Sequence, residues 1–526
     1  MLTPEELATI AETMQPHLDE LNMWISQDMI RRFMARMGRG EKDLLSGTDQ
    51  WQAQVYKEAG GLYEDLQKDL HEFTGKSEDE IKAIFEDAGI RAWNADDIFY
   101  VAQGFESIPL FSSERMLNIL TDCYQRTNNE VYNFTRTTAN ETQRRFIKLL
   151  DSTHMKVMSG AQSYTAAVKE AVNELASTQT EVIYPSGHKD TIETAVLRAV
   201  RTGVAQASGN MTLQGMEERD WDLIRVSAHL GARYGDGGEN PGNHYWWQGK
   251  LYSRTGIDKR YPDFITATGY GTGEGLCGWN CRHSYGPGDP EHNPYKEYDA
   301  EENKKAYDLS QKQRKIERTI RADKLKVKGL REAIDCAEDK TLKKELSEDY
   351  EKASARLSMH NAEYNHFCES NGLKRYDDRL SIAKWNRSEA MKAVRAAQRL
   401  EKKKKSAIID AEKIRKDILN NKYNLNLNIG NQNKHIKGSH SYNEENHKSI
   451  LFGDLNYAQG LVEKYHGTGD IKMTKDGNWT KKEFVEVDFD IGMSYNYEIK
   501  KMFSTNRFAI HYGKNGTHIV PVERKK

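Results

Sequence analysis

Two histidines near the C-terminus, His511 and His518, lie in β-type runs on either side of Gly513-Lys514-Asn515-Gly516. Imidazole can both give and take a proton near neutral pH, so two of them on one surface could serve as base and acid. The segment reads as a hairpin, with Asn515-Gly516 the favoured two-residue turn. In that register Gly513 faces His518, and His511 sits diagonally from it, roughly 7–8 Å away. A four-residue loop over 513–516 instead pairs His511 with His518 directly, at about 4.5–5.5 Å. Both even registers put the two rings on one face; an odd loop would separate them. Ile510, Tyr512, Ile519 and Val487 are then the residues expected on the core face.

Such a pair suits metal-free RNA cleavage. A base takes the proton of the ribose 2′-OH, which attacks the adjacent phosphate. A cation steadies the phosphate oxygens, and an acid protonates the leaving 5′ oxygen. His435, His511 and His518 are the candidate base and acid. Lys514, Lys437 and Arg507 are candidate cations, and Ser504 and Thr505 candidate hydrogen-bond donors to phosphate. No cofactor is required. His440, His447 and His466 read as surface or structural histidines. Six of the sixteen histidines fall in 421–526, where sixteen Lys and Arg stand against twelve Asp and Glu. That local excess of +4 within a chain of net charge −2 fits an anionic substrate.

A second concentration of chemistry lies in the middle of the chain. Cys277, Cys281 and His283 form C-x3-C-x-H, with His229 and His244 upstream. Thiolate and imidazole groups gathered in fours suit tetrahedral Zn²⁺. Cys277, Cys281, His283 and His244 are the candidate ligands of a structural zinc. The competing reading is a buried Cys pair with structural histidines tying glycine loops together. Alternate glycines from Gly269 to Gly275 read as a tight turn beside Trp279, since no Lys-Ser or Lys-Thr follows for a phosphate loop.

The elements that must position these groups follow proline and glycine. None of the ten prolines lies between 110 and 184 or between 295 and 520, which permits long helices because an interior proline costs about 3 kcal/mol. Residues 1–180 read as a helical region, with Ser77-Glu78-Asp79-Glu80 as a capping-box helix start and Gly160 interrupting the pattern of 137–176. Residues 181–296, rich in Gly, Pro and Trp, read as a loop-rich α+β domain. Residues 297–420 read as a linker of long charged helices, a helical hairpin or coiled coil, with a break at Ser370-Asn371-Gly372. The run Lys402–405 reads as a solvated helix face. Residues 421–526 read as a small α+β domain with strands at 484–489, 508–512 and 517–520 and a helix at 456–465. The fold class is therefore multidomain and mainly α.

Composition narrows the function classes. The chain has 526 residues, 37% hydrophobic and 30% charged, which predicts several domains with much exposed helix. No run approaches the ~18–20 apolar residues of a membrane span. The start, Met1-Leu2-Thr3-Pro4, lacks a basic segment followed by an apolar one, so no classical secretion signal is expected. Five scattered cysteines argue against a disulfide scaffold and for synthesis in a reducing cytoplasm.

Two resemblances add to this reading. Ser227-Ala228-His229, Trp247-Gln248-Gly249-Lys250 and Gly275-Leu276-Cys277-Gly278-Trp279-Asn280-Cys281-Arg282-His283 together resemble phage minor capsid protein 2, a relative of Mu F-like head-morphogenesis proteins, over residues 1 to about 300. The resemblance implies a minor head component near the portal. Its partners would be portal and capsid proteins, its location the virion, and its site of synthesis the bacterial host cytoplasm. Asn433-Lys434-His435-Ile436, Gly467-Thr468-Gly469 and the segment from Ile510 to Pro521 resemble the polymorphic toxin type 50 domain. That family implies a ribonuclease of barnase-EndoU-colicin-RelE type, acting on RNA, with an immunity protein as a further partner. The alternative is a purely structural virion protein whose last domain binds without cutting. A third option, ADP-ribosyl transfer, lacks the ordered Arg, Ser-Thr-Ser and Glu-x-Glu set.

Overall fold

The proline-free stretches fold as the long helices they permit. In the computed structural model, residues 1–41, 48–177, 180–443, 448–474, 478–496 and 501–524 are described. A short helix α1 (Pro4–Thr9) leads into α2 (Gln15–Met37), α3 (Thr48–Ala102), α4 (Glu114–Met158) and α5 (Tyr164–Ser177). Helix α4 ends one residue before Ser159-Gly160, and Gly160 has φ +69, a left-handed turn that glycine adopts freely. The helix start expected at Ser77 does not occur. Ser77 lies buried inside α3. Capping residues favour a terminus only where the chain is free to begin one. Here Phe73, Ile81 and Phe85, buried on the same side of α3, carry the helix through.

Residues 181–296 contain more helix than their composition suggests. A hairpin of β1 (Glu181–Ile183) and β2 (Lys189–Thr191) precedes α6 (Ile192–Glu218), 27 residues long. Glycines 203, 209 and 215 lie inside α6. In the structure they are points of close approach. A Cβ at Gly203 would lie 2.9 Å from the Phe85 ring, at Gly209 2.7 Å from Tyr285, and at Gly215 2.8 Å from Trp93. Tertiary packing thus outweighs the roughly 1 kcal/mol helix penalty of each glycine. Three short strands, β3 (Leu223–Val226), β4 (Leu251–Ser253) and β5 (Tyr285–Pro287), form an antiparallel sheet in the order β4-β3-β5, with the short helices α7 (His244–Trp247) and α8 (Phe264–Thr268) between them.

The charged stretch is a helical hairpin: α9 (Ala300–Cys336) runs against α10 (Lys340–Asn371). Gly372, φ +62, caps α10 at the break anticipated there. These helices are not a separate linker. Val327, Leu330 and Ala333 of α9 join one core with Ile30 and Phe33 of α2 and with Val172 and Leu175 of α5. The first unit is accordingly Met1–Ala397, and the second Gln398–Lys526. Helix α11 (Arg387–Leu419) crosses that boundary.

The second unit has its own core. Ile418, Leu451, Leu461, Val462, Val485, Ile491, Phe508, Ile510 and Ile519 are all buried within it. A four-stranded antiparallel sheet has the order β12 (Gly516–Pro521), β11 (Arg507–Gly513), β8 (Trp479–Glu486), β7 (Asp470–Met473). A second sheet has the order β10 (Lys501–Thr505), β9 (Gly492–Asn496), β6 (Ile450–Leu451). Helix α13 (Leu455–Tyr465) covers the anticipated 456–465, capped by the Asp454 carboxylate, which accepts from the Tyr457 N–H at 2.8 Å. Its Ala458, Leu461 and Val462 share one helical face and enter the core. A short helix α12 (Ile429–Gln432) completes the unit. No described helix is long and apolar enough to cross a membrane.

A buried ion triad ties three helices of the first unit. One Arg321 amino group on α9 donates to Asp19 on α2 at 2.6 Å and to Glu193 on α6 at 2.8 Å. Arg321→Ala would leave two carboxylates buried without a counter-charge. It should cost about 3–5 kcal/mol, read as a lower denaturant midpoint for the first unit.

Candidate active site

The hairpin of β11 and β12 pairs His511 directly with His518. The turn residues are Lys514 and Asn515, with Gly513 opposite Gly516, not the Asn515-Gly516 pair. Gly516 takes φ +114, and a Cβ on it would lie 2.4 Å from the Asn426 carbonyl oxygen. Backbone from 426–428 lies against β12 here: the Thr517 N–H donates to Asn426 and the Asn428 N–H to Thr517. Only glycine fits between them, so position 516 belongs to the strand rather than the turn. Behind the pair, Ile510 faces Ile519 in the core, as anticipated, with Tyr512 on the same buried side.

His511 and His518 have ring centroids 4.6 Å apart. A third ring, His435, lies 6.2 Å from His518 and stacks nearly parallel to it. His435 closes a 3-10 turn (Asn433–His435) after α12. Gln432 holds that turn on the sheet. Its fully buried amide accepts from the Ile519 N–H at 2.6 Å and donates to the Ile519 carbonyl at 3.2 Å, as a neighbouring strand would. The residue beside His518 thus anchors the segment that carries His435. The nearest partner of His435 Nδ1 is the Ser449 carbonyl oxygen, 2.9 Å away. A carbonyl only accepts, so Nδ1 carries the proton and Nε2 presents a lone pair.

Burial, with the charges around the rings, keeps them neutral. Burial pushes His511 down to about 3, helped by His518 and Lys482. Burial likewise pushes His518 down to about 4, helped by His435, Lys434 and Lys482. His435 is also lowered, first by burial. All three stay half-buried, so solute can reach them. Lys482 on β8 pairs with His511 across the sheet and was not anticipated. Periodicity could have found it, since residue 482 alternates with the buried Glu483 and Val485. Lys434 donates to Asn431 at 2.8 Å within the same turn.

The other anticipated residues lie elsewhere. Arg507 is four residues from His511 along β11, about 13 Å, with its guanidinium over Phe484 at 5.2 Å. The Ser504 hydroxyl donates to Asp490. Thr505 is buried, donating to the Val522 carbonyl at 2.6 Å and accepting from the Arg507 N–H at 3.1 Å. Both hydroxyls are occupied in holding the β10–β11 corner. Lys514 sits in the exposed hairpin turn, and Lys437 lines a groove with Leu451 and Phe452. His466 Nδ1 meets the Val462 carbonyl at 2.9 Å at the end of α13, and His440 is exposed. His447 lies outside the described residues. Beneath the site, the buried Glu483 accepts from Gly467 at 2.9 Å, from Gly469 at 2.6 Å and from the Tyr512 hydroxyl. This locks the Gly467-Thr468-Gly469 loop to β8 and β11.

In the first unit, β3 and β5 bring the middle motifs together. Val226 pairs with Tyr285, so His229 and His283 just beyond the strands stack at 4.6 Å. Gln248 Oε1 accepts from the His229 N–H at 3.0 Å and lies 3.1 Å from His283 Nε2. The donor atoms of His244, Cys281 and His283, all buried, lie within 4.8 Å of one another. Cys277 is buried beside them, its Sγ 3.9 Å from the His283 carbonyl, and is outside that group of three. A Cβ on Gly273 would lie 3.0 Å from the Trp279 ring, so the glycine turn is a tight fold against that ring.

Residues 2–369 match the family described as Phage minor capsid protein 2, and residues 427–521 match the one described as Bacterial toxin 50. The chain belongs to the phage minor capsid protein 2 family. The match reaches into α10, well past residue 300, in agreement with the packing of α9 and α10 into the first core. No curated protein and no solved structure matches this minor capsid family member.

Because the three imidazoles are held neutral, the unfolded chain binds protons that the folded one does not. Stability of the second unit should therefore decline as pH falls from about 6.5, the ordinary histidine value, towards 3. His511→Ala with His518→Ala should flatten that decline, measured by thermal unfolding across pH 3–7.

Proposed function

We propose that this chain is a head component of a phage or prophage particle, associated with the portal, whose C-terminal unit cleaves RNA without a metal. The observation that carries the catalytic half is the convergence of His435, His511 and His518 on one open face of a sheet. A helix, α13, packed on an antiparallel sheet supports a barnase-EndoU-colicin-RelE type of fold. The bacterial toxin 50 match supports delivery of a toxic activity, for which a producer cell needs an immunity protein.

The chemistry balances with one proton drawn from solvent. His435 Nε2 takes the proton of the ribose 2′-OH, and the freed oxygen attacks phosphorus. Lys482 and Lys434 offset the charge on the phosphate oxygens. The bond from phosphorus to the 5′ oxygen breaks, and that oxygen takes a proton from the His511–His518 pair. The products are a 2′,3′-cyclic phosphate and a 5′-hydroxyl. The pair is neutral in the free protein, so its proton arrives from solvent as the phosphodiester anion enters. Activity on free RNA needs the pair protonated and His435 neutral, so kcat/KM should fall once pH rises beyond both the pair, about 4 for His518, and His435, itself held below the ordinary histidine value by burial, while kcat, reporting the loaded site, keeps a higher optimum.

Wild-type protein should cut RNA equally well with and without EDTA and should leave DNA intact, since DNA lacks the 2′-OH. His435→Ala or His518→Ala should slow cleavage by about 10²–10⁴-fold. Dependence on a divalent metal, or cutting of DNA, would defeat the scheme. RNA bound tightly and never cut would favour a binding module instead.

A second reading concerns the first unit, where a structural Zn²⁺ fits His244, Cys281 and His283. Each histidine spends Nε2 on an oxygen, His244 on the Glu274 carbonyl at 2.8 Å and His283 on Gln248. That leaves Nδ1 for a metal, a common arrangement around ligating histidines. The protein as isolated should carry close to one zinc per chain by elemental analysis, lost in Cys281→Ser. Metal-free protein that takes up no zinc would remove this reading.

A further inference from the structure

A cavity of about 430 Å³ opens beside the His229–His283 stack, walled by α6, α9 and the 280–283 turn of the first unit. Six arginines line it: Arg198, Arg201, Arg233, Arg282, Arg314 and Arg318. No Asp or Glu is among its described lining residues. A guanidinium cluster of this density is unfavourable unless something offsets its charge.

Half of the six are already engaged. Arg198 pairs with Asp190 at 2.6 Å, Arg233 donates to the Trp279 carbonyl at 2.6 Å, and Arg201 donates to the Leu7 carbonyl at 3.1 Å. Among the described residues, Arg282, Arg314 and Arg318 have neither a hydrogen-bond acceptor nor an ion-pair partner. Glu317, three residues on from Arg314, accepts from the Tyr364 hydroxyl and offsets only part of the Arg314 charge. Burial and the neighbouring guanidiniums push Arg314 down to about 10, and Arg201 likewise, first through burial.

We propose that this cavity is a binding site for a run of adjoining phosphate groups. Guanidinium is planar and forms paired hydrogen bonds to phosphate oxygens, and it is less strongly hydrated than ammonium. Two half-buried unpartnered forks, Arg282 and Arg314, with the exposed Arg318 at the rim, offer more donors than a single phosphate can accept. The cavity is too small for a duplex, whose major groove alone is about 12 Å wide. It suits a free oligophosphate or a single strand entering by its backbone. The ligand is distinct from the RNA of the C-terminal unit, and the site stands whether or not that unit is a nuclease.

The test uses the full chain carrying His518→Ala, titrated with sodium triphosphate and, separately, with a fluorescent oligothymidylate that has no 2′-OH to be cut. Saturable binding of triphosphate is expected, weakened at least tenfold by Arg314→Gln with Arg282→Gln. Triphosphate should also shield Arg282 and Arg314 from phenylglyoxal in the otherwise unaltered chain, read by peptide mass spectrometry. That measurement keeps the test decisive if the double variant misfolds. Displacement of the oligonucleotide by triphosphate would identify nucleic-acid backbone as a source of the phosphates. Binding of triphosphate alone would identify a free oligophosphate. Failure of both probes to bind, or binding that leaves both arginines open to phenylglyoxal, overturns the proposal.

Discussion

A β-sheet buried on one face has only one tolerable register, because a slip of one residue would turn its apolar set outwards. The pairing of Ile510 with Ile519 is that constraint in the second unit. It sets His511 against His518, brings Lys482 alongside through β8, and offers the Ile519 backbone to Gln432. His435 reaches the group only through that amide clamp. The chemistry therefore rests on the same apolar contact that stabilises the domain.

Both units use burial to tune charged or titratable groups. In the second, burial, reinforced by neighbouring rings and lysines, holds three imidazoles neutral. In the first, arginines gather around a cavity without carboxylates, while a similar guanidinium in Arg321 is fully paired. The difference lies in supply. Arg321 faces Asp19 and Glu193 from two other helices, whereas Arg282 and Arg314 face other arginines. A buried cation either finds its counter-charge in the fold or takes it from a ligand.

Much of the C-terminal site could be read in advance. Alternation of apolar and polar residues around His511 and His518 was enough to put both on one face, since strand period is two. The turn was not readable, because Gly516 is required by backbone from 426–428, some ninety residues away. Periodicity put Lys482 on the open face of β8, but its pairing with His511 is a tertiary contact. Arg507, Ser504 and Thr505 have suitable chemistry, yet they sit at the far end of the strand, where caps and corners engage them. In the first unit, the glycines of α6 concealed a helix. Their role is contact with Phe85, Tyr285 and Trp93, which no local pattern displays.

Local pattern alone determined the long helices, the alternation of the terminal strands and the membership of the minor capsid family. Those properties depend on neighbours in the chain, and neighbours are what a sequence lists. Which histidine meets which, which carboxylate reaches Arg321, and which arginines remain unpaired were decided by tertiary packing. Each depends on groups separated by tens to hundreds of residues, brought to within a few ångströms only when the apolar faces close on one another.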